Sequence, residues 1–544
     1  MCTAKAEDRA KNPESSAGLL RGMGNGTSGR SSTEQERPSC AAAKAEGGRD
    51  KAKPKQARAQ RESEGGVVPR KTVQDNAVEG RPPALVVLPR GGKREDMARP
   101  RGPVKSPGAE SAVPQRWEKV RKLQWKLYRA AKQQKERKFH ALWQCVTDRH
   151  TLTEAWWKVE ENRGAAGVDG ETLKMIKARE RTFIEELQRD LKAGDYRPQC
   201  VRRVYIPKAN GKKRPLGIPT VRDRVAQMAV KMVIEPLFEA DFEECSYGFR
   251  PKRHAIQALE ELRKAAPRGY EWAVEVDIQS YFDTIDHERL MQLVGRRISD
   301  RKVLKAIRKW LKAGVLEDGQ RKETMVGTPQ GGVISPLLAN IYLHELDRAW
   351  KREMSSVGKL VRYADDFVVV CRNEADAKRA YGWIITTLTR LGLKPQMEKT
   401  RIVHLRAKGI DFLGCHLRMA MSRRYKGHWY LYRWPSAKAM KRLRERIREI
   451  TNCKHSGQKL CDVIKALNPL LKGWGQYFRN GNAARKFSVI DRYVWKRLTI
   501  FANRVRGRND PTRTNEFDYE WYQRLGVFRL MGLIRYPPAK ARAA

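Results

Sequence analysis

Two apolar runs meet around an aspartate pair in Leu360-Val-Arg-Tyr-Ala-Asp-Asp-Phe-Val-Val-Val-Cys371. Runs rich in Val and Leu on either side of Asp-Asp read as two strands joined by a tight turn, a β-hairpin. Adjacent carboxylates on such a turn repel one another and resist desolvation unless a cation lies between them. Aspartate oxygens suit Mg²⁺, so the turn is a candidate metal seat. An exposed acidic turn without chemical consequence is the competing reading, and the rest of the chain has to decide between them.

The 544 residues are long enough for several domains and carry 112 basic against 62 acidic side chains, a formal charge of +50. Excess charge of that size opposes compaction unless a polyanion neutralises it, which makes nucleic acid the leading partner. Residues 1–115 contain no Phe, Trp or Tyr and hold 22 basic and 14 acidic side chains, a net +8. The 90 basic and 48 acidic side chains that remain give the rest of the chain +42. The polyanion-binding charge therefore belongs mainly to the folded part. The first 115 residues are expected to be a disordered basic extension, too poor in apolar surface to offset chain entropy. Nine cysteines include no Cys-x-x-Cys pair, and no apolar run approaches 18 residues. Reduced thiols and a soluble, intracellular protein without a membrane partner are the expectation.

From Trp117 to about His150 the pattern is helical and basic, with Val120, Leu123, Leu127 and Ala131 on one stripe. A second helix is expected over Leu152–Asn162, followed by the glycine-rich loop Arg163–Gly170. That loop lacks the Gly-Lys-Ser/Thr ending of a nucleotide P-loop. Residues 201–219 read as a β-hairpin turning at Asn210-Gly211, with Arg202, Arg203, Lys208, Lys212, Lys213 and Arg214 along it. Cations so dense on one ribbon suit a triphosphate or a template backbone, although a solvated charged hairpin would look the same.

Ala273-Val-Glu-Val reads as a strand with Asp277 at its end, and eighty-eight residues separate Asp277 from Asp365. That interval is ample for the crossovers that bring two strands side by side. Gly327-Thr-Pro-Gln-Gly-Gly-Val-Ile-Ser-Pro336 then forms a loop leading into a helix over Leu337–Arg348. Three aspartates converging on paired Mg²⁺ ions would supply two-metal phosphoryl transfer. Otherwise Asp277 caps a helix and Asp365-Asp366 only turns a hairpin.

The ordered set of Asp277 with Phe282, Gly327 to Pro336, Tyr363-Ala-Asp-Asp366, Gly392-Leu-Lys-Pro-Gln-Met-Glu-Lys-Thr400 and Phe412-Leu-Gly414 resembles the group II intron-encoded reverse transcriptases, or maturases. The resemblance runs from roughly Trp117 to Arg508. It implies an α+β right-hand polymerase: fingers and palm over 116–420, a helical thumb and maturase domain over 421–508, and a short tail over 509–544. The tail is expected to be at most a DNA-binding remnant or packing segment, with no endonuclease. By the same resemblance Asp277, Asp365 and Asp366 are catalytic and bind two Mg²⁺ ions, joined by Ile278 as a further metal ligand. Lys208 and Arg214 would hold the incoming dNTP, and Phe282 would be the steric gate against a ribose 2′-hydroxyl, unless it is an ordinary core aromatic. Gln330 would touch the new base pair or sugar, Lys399 the nearby phosphates, and Phe412, Leu413 and Gly414 would form the primer grip.

Beyond the palm, Ser436 offers a helix start, and Met440, Leu443, Ile447 and Ile450 share one apolar face opposite Arg442, Arg444, Arg446 and Arg448. Further helices are expected near Leu460–Tyr477 and Ser488–Arg506. Aromatics among these cations suit RNA stacking, and a plain helical bundle with a basic exterior is the alternative. The implied protein is a bacterial, cytoplasmic RNA-directed DNA polymerase and maturase in a ribonucleoprotein. Its partners would be group II intron RNA, an RNA template with a DNA primer, target DNA and dNTPs. A domesticated reverse transcriptase in phage defence or DNA repair, or a splicing factor with a relic palm, would be the rivals.

Overall fold

The computed structural model describes residues 116–207, 211, 213–317, 320–322, 326–328, 331–422, 427–452, 457–505 and 517–534. The extension 1–115, Asn210 of the expected turn, Lys208 and Gln330 lie outside the described residues. Eleven strands are described: β1 (Val201–Pro207), β2 (Lys213–Ile218), β3 (Trp272–Asp277), β4 (Val315–Glu317), β5 (Gln320–Lys322), β6 (Gly358–Tyr363), β7 (Asp366–Cys371), β8 (Arg401–His404), β9 (Ile410–Phe412), β10 (Cys415–Met421) and β11 (Trp429–Pro435). They make three sheets, in the orders β2-β1-β4-β5, β6-β7-β3-β8 and β11-β10-β9. The α+β right-hand arrangement expected from the resemblance is present, with these sheets as fingers, palm and the approach to the thumb. No helix among the described residues is long and apolar enough to cross a membrane.

The palm sheet divides two hydrophobic cores, and the sequence of β7 shows why. Phe367, Val369 and Cys371 face a core shared with the fingers helices, whereas Val368 and Val370 face one shared with the thumb. A strand buried on both faces needs an apolar residue at every position, so the run Phe367–Cys371 is continuous instead of alternating. Helix Glu374–Arg390 packs on the side of β3 and β7, started by Asn373, whose side chain accepts from Asp376 N. Each large apolar side chain removed from water here contributes about 1.5–3 kcal/mol.

Three sequence expectations change. The helical pattern over 117–150 is broken: a helix ends at Gln133 (Arg116–Gln133) and only a short helical turn at Trp143–Val146 follows, whereas the second helix, expected over Leu152–Asn162, is present as Arg149–Glu161. Arg297 ends the first by donating to the carbonyls of Ala131, Gln134 and Arg137, while Phe139 joins Ile298 through a parallel bridge. Asp148 starts the other helix by accepting from His150 N and Thr151 N. A tertiary contact thus overrides local helical periodicity. The β4–β5 hairpin, unforeseen, extends the fingers sheet by pairing β4 parallel to β1. The sheet β9–β10–β11 runs across residue 420, where the palm was expected to end, so the thumb helices begin with Ala437–Ile450.

In the thumb, Ser436 accepts from Ala439 N at the helix start, and Met440, Leu443 and Ile447 are buried. Helices Leu460–Phe478 and Ala484–Val505 complete the bundle. Phe517, Tyr522 and Leu530 of the tail are buried in the same core, and Asp491 accepts from Leu530 N and Met531 N. The described part of the tail is a packing segment of the thumb.

Candidate active site

Pairing of β6 with β7 sets Tyr363 opposite Asp366 and leaves Ala364-Asp365 as a two-residue turn. Ala364 has φ +60, a strained value for a residue with a Cβ. Its surroundings impose that strain. Gly248 lies so close that a Cβ there would stand 2.4 Å from Ala364 N. Tyr247 N donates to Arg362 O, and Arg362 N to Cys245 O, both at 2.8 Å. The Arg362 guanidinium is wholly buried, paired with Asp347, and donates to Asn340 Oδ1 at 3.0 Å and to Ala364 O at 2.9 Å. Asn340 in turn donates to Gly248 O at 2.8 Å. A closed polar network therefore holds the turn from beneath.

Register does the rest. β3 pairs with β7 so that Asp277 stands directly opposite Asp366, and Asp365 follows on the turn. Opposed residues on neighbouring strands have Cβ atoms about 4.5–5.5 Å apart, so the charges interact strongly. Burial, then Asp365, Asp277 and Glu275, push the Asp366 carboxyl up to about 8, against relief from Lys399. Asp365 is raised by burial and by Asp277, and relieved by its own backbone N–H, Arg214 and Arg362. Asp277 does not cap the short helix Tyr281–Thr284, whose N-cap is Ser280. The helix-cap reading is thereby excluded.

The expected cations and aromatics are placed as follows. Arg214 is exposed on β2, opposite Ile206, with its field reaching Asp365. Lys399 is exposed, and its ammonium pairs with Asp277 Oδ2. It is delivered there by the segment from Lys394, which bonds alongside β3: Gln279 N donates to Lys394 O, and Gln396 N to Asp277 O, both at 2.8 Å. Phe282 is half-buried against the fingers-side core, 5.5 Å from the Tyr281 ring, and its carbonyl accepts from Thr328 N at 2.7 Å. The Gly327–Thr328 loop is thus seated beside it, and a Cβ on Gly327 would strike the Asp283 backbone at 2.9 Å. The Ile278 side chain is buried, so only its main-chain carbonyl could face a metal.

Phe412 is a core residue, while Leu413 (φ +49) and Gly414 (φ +76) form the turn from β9 to β10. Tyr477 O–H donates to Leu413 O at 2.8 Å, and Ser436 N to Gly414 O at 2.9 Å, so two thumb elements grip this turn. Sequence reasoning missed Asp347, Asn340 and Arg362, and it gave Tyr477, one of the thumb aromatics, to RNA stacking and not to this turn. Arg362 carried the one usable signal, a charge inside an apolar strand.

Could these residues hold Mg²⁺? Among the described residues no group of three or more His, Cys, Asp or Glu is drawn together as a metal cluster. The donor chemistry nevertheless fits: hard carboxylates repel one another across a strand pair, and one already carries a cation, the Lys399 ammonium.

Known proteins resemble this chain in sequence. The reverse transcriptase (RNA-dependent DNA polymerase) family matches residues 206–417, and the group II intron maturase-specific domain matches residues 440–517. Protein YkfC of Escherichia coli is 36% identical over 346 residues, 56% of this chain and 90% of that protein. The group II intron-encoded protein LtrA of Lactococcus lactis is 51% identical over 166 residues, 30% of this chain and 28% of LtrA. Among solved structures, the partial Cas6-RT-Cas1–Cas2 complex matches with 24% identity over 46% of this chain and 41% of that one, at a TM-score of 0.30.

Proposed function

The chain belongs to the group II intron reverse transcriptases with a maturase domain, a family of RNA-directed DNA polymerases, and on that premise we propose that it binds a group II intron RNA, assists its splicing and copies it into DNA for retrohoming. One observation carries the catalytic half of this reading: Asp277 opposes Asp366 across paired strands with Asp365 on the adjoining turn, and burial together with their mutual repulsion raises Asp366. Asp277, Asp365 and Asp366, with the main-chain carbonyl of Ile278, would hold two Mg²⁺ ions. Bound there, Mg²⁺ supplies Lewis acidity that lowers the pKa of a primer 3′-hydroxyl and neutralises departing pyrophosphate.

The chain's own residues do the remainder. Arg214 faces the carboxylates from the fingers and offers a fork of donors to the triphosphate of a dNTP. Lys399 exchanges its Asp277 partner for phosphate oxygens as substrate arrives, which frees that carboxylate for metal. Phe282 closes the space beside the sugar against a 2′-hydroxyl. Lys208 and Gln330 take the phosphate and base-pair roles that the resemblance gives them. The Leu413–Gly414 turn, tied to the thumb, sets the primer terminus. The +42 of the folded part is matched to RNA and DNA phosphate, and we place the protein in the bacterial cytoplasm as a ribonucleoprotein. Primer extension on an RNA template tests the reading. Asp365→Asn should abolish extension and leave RNA binding intact; full activity in that variant would overturn the assignment.

A further inference from the structure

The sheet β9–β10–β11 has an inner face in the thumb-side core and an outer face that no core uses. Cys415, Leu417, Met419, Leu431 and Phe412 point inward and are buried. On the other side Tyr430, Tyr432 and Trp434 alternate along β11, each half-exposed, and none of the three packs in either hydrophobic core. Alternate residues share a face, so these rings stand in a row about 6.6 Å apart. Their register partners on β10 are Ala420 against Tyr430, exposed Arg418 against Tyr432, and His416 against Trp434. The His416 ring lies 5.1 Å from the Trp434 ring and is held by Asp411 at 2.7 Å. Among the described residues the two tyrosine hydroxyls and the Trp434 indole N–H have no hydrogen-bond partner.

Three large aromatics on a solvent face are costly to a protein that keeps them bare. We infer that this row is a stacking platform for single-stranded RNA, an inference that rests on the RNA-handling reading above. Bases stack on such rings without regard to sequence, and Arg418 sits where the backbone phosphates would pass. The unpartnered tyrosine hydroxyls and indole N–H offer hydrogen bonds to a ribose 2′-hydroxyl, which favours RNA over DNA. Position agrees as well: the same sheet carries the Leu413–Gly414 turn, which Tyr477 and Ser436 tie to the thumb. The platform would lead unpaired RNA past the palm.

The test uses the full chain and a fluorescent 20-nucleotide oligouridylate, read by anisotropy at fixed salt. Removing all three rings (Tyr430→Ala, Tyr432→Ala, Trp434→Ala) should weaken binding by at least tenfold, because each stacked base is worth roughly 5- to 150-fold. Tyr430→Phe with Tyr432→Phe should keep affinity for an oligodeoxythymidylate of equal length and lose the preference for RNA. Wild-type affinity in a triple variant with an unchanged circular dichroism spectrum overturns the platform. So does a loss that appears only with duplex RNA, or a wild-type dimer that the triple variant turns into a monomer, which would make a second copy the occupant. Should the triple variant fail to fold, photocrosslinking of 5-iodouridine RNA to the wild-type chain decides: adducts at Tyr432 or Trp434 support the platform and their absence removes it. Primer extension by the wild type runs alongside. Loss of extension with ring-dependent RNA binding sinks the polymerase reading alone, and the converse result sinks the platform alone.

Discussion

Arg362 and Asp366 belong to one hairpin, four residues apart, and face opposite electrostatic fates. The Arg362 guanidinium is wholly buried and fully answered: Asp347, Asn340 and the Ala364 carbonyl occupy its donors. Asp366 is half-buried at the start of its strand, yet the charges around it are Asp365, Asp277 and Glu275, with Lys399 in relief. One charge is satisfied within the fold and fixes backbone geometry. The other is left wanting a cation the chain supplies only in part. Placing the unsatisfied group on top of the satisfied one is how a fold holds repelling carboxylates together without spreading apart.

Breaking the unsatisfied side should have the largest effect. Asp366→Asn is expected to lower primer extension by about 1,000-fold or more, since the metal-held charge stabilises the transition state by several kcal/mol; single-turnover extension measures it. Next comes the satisfied side. Arg362→Met leaves Asp347 buried without its partner and should cost about 3–5 kcal/mol in denaturant unfolding. Arg362→Met with Asp347→Leu should recover much of that stability but not the activity, because nothing then holds the Ala364 carbonyl. Equal recovery of both would mean the network does not position the turn.

A smaller effect sharpens the contrast through pH. Asp366 is raised from the ordinary 3.8 to about 8 in the fold, so it binds its proton more tightly folded than unfolded. Its contribution to stability is full below the ordinary aspartate range and is lost as pH rises through about 8. Metal-free protein should therefore show melting temperatures that fall over this window, less steeply in Asp366→Asn and in wild type with Mg²⁺. Smallest is Tyr477→Phe, which removes the bond to Leu413 O and should cost about 1 kcal/mol. If the thumb positions the primer, this variant should also lower extension on a primer-template more than it lowers stability.

Much of this protein was legible in residue order. The Val-rich run after Asp366 and the Asp pair specified a hairpin with carboxylates at its tip, because two-faced burial demands continuous apolar sequence and a turn interrupts it. The strand ending at Asp277 and the thumb helix from Ser436 followed from equally local rules, period and cap. Tertiary structure alone decided what lies between sequence-distant groups. That Asp277 faces Asp366 is a matter of strand register, and that Arg362 meets Asp347 depends on where the helix Ser335–Glu353 packs. The break after Gln133 came from Arg297, which no helical pattern near Trp117 could reveal. Only pairing of β10 with β11 showed that Tyr430, Tyr432 and Trp434 face outward together. Local chemistry determines which elements form and which residues can react; long-range pairing determines which of them meet, since its free energy resides in contacts that no single stretch of chain contains.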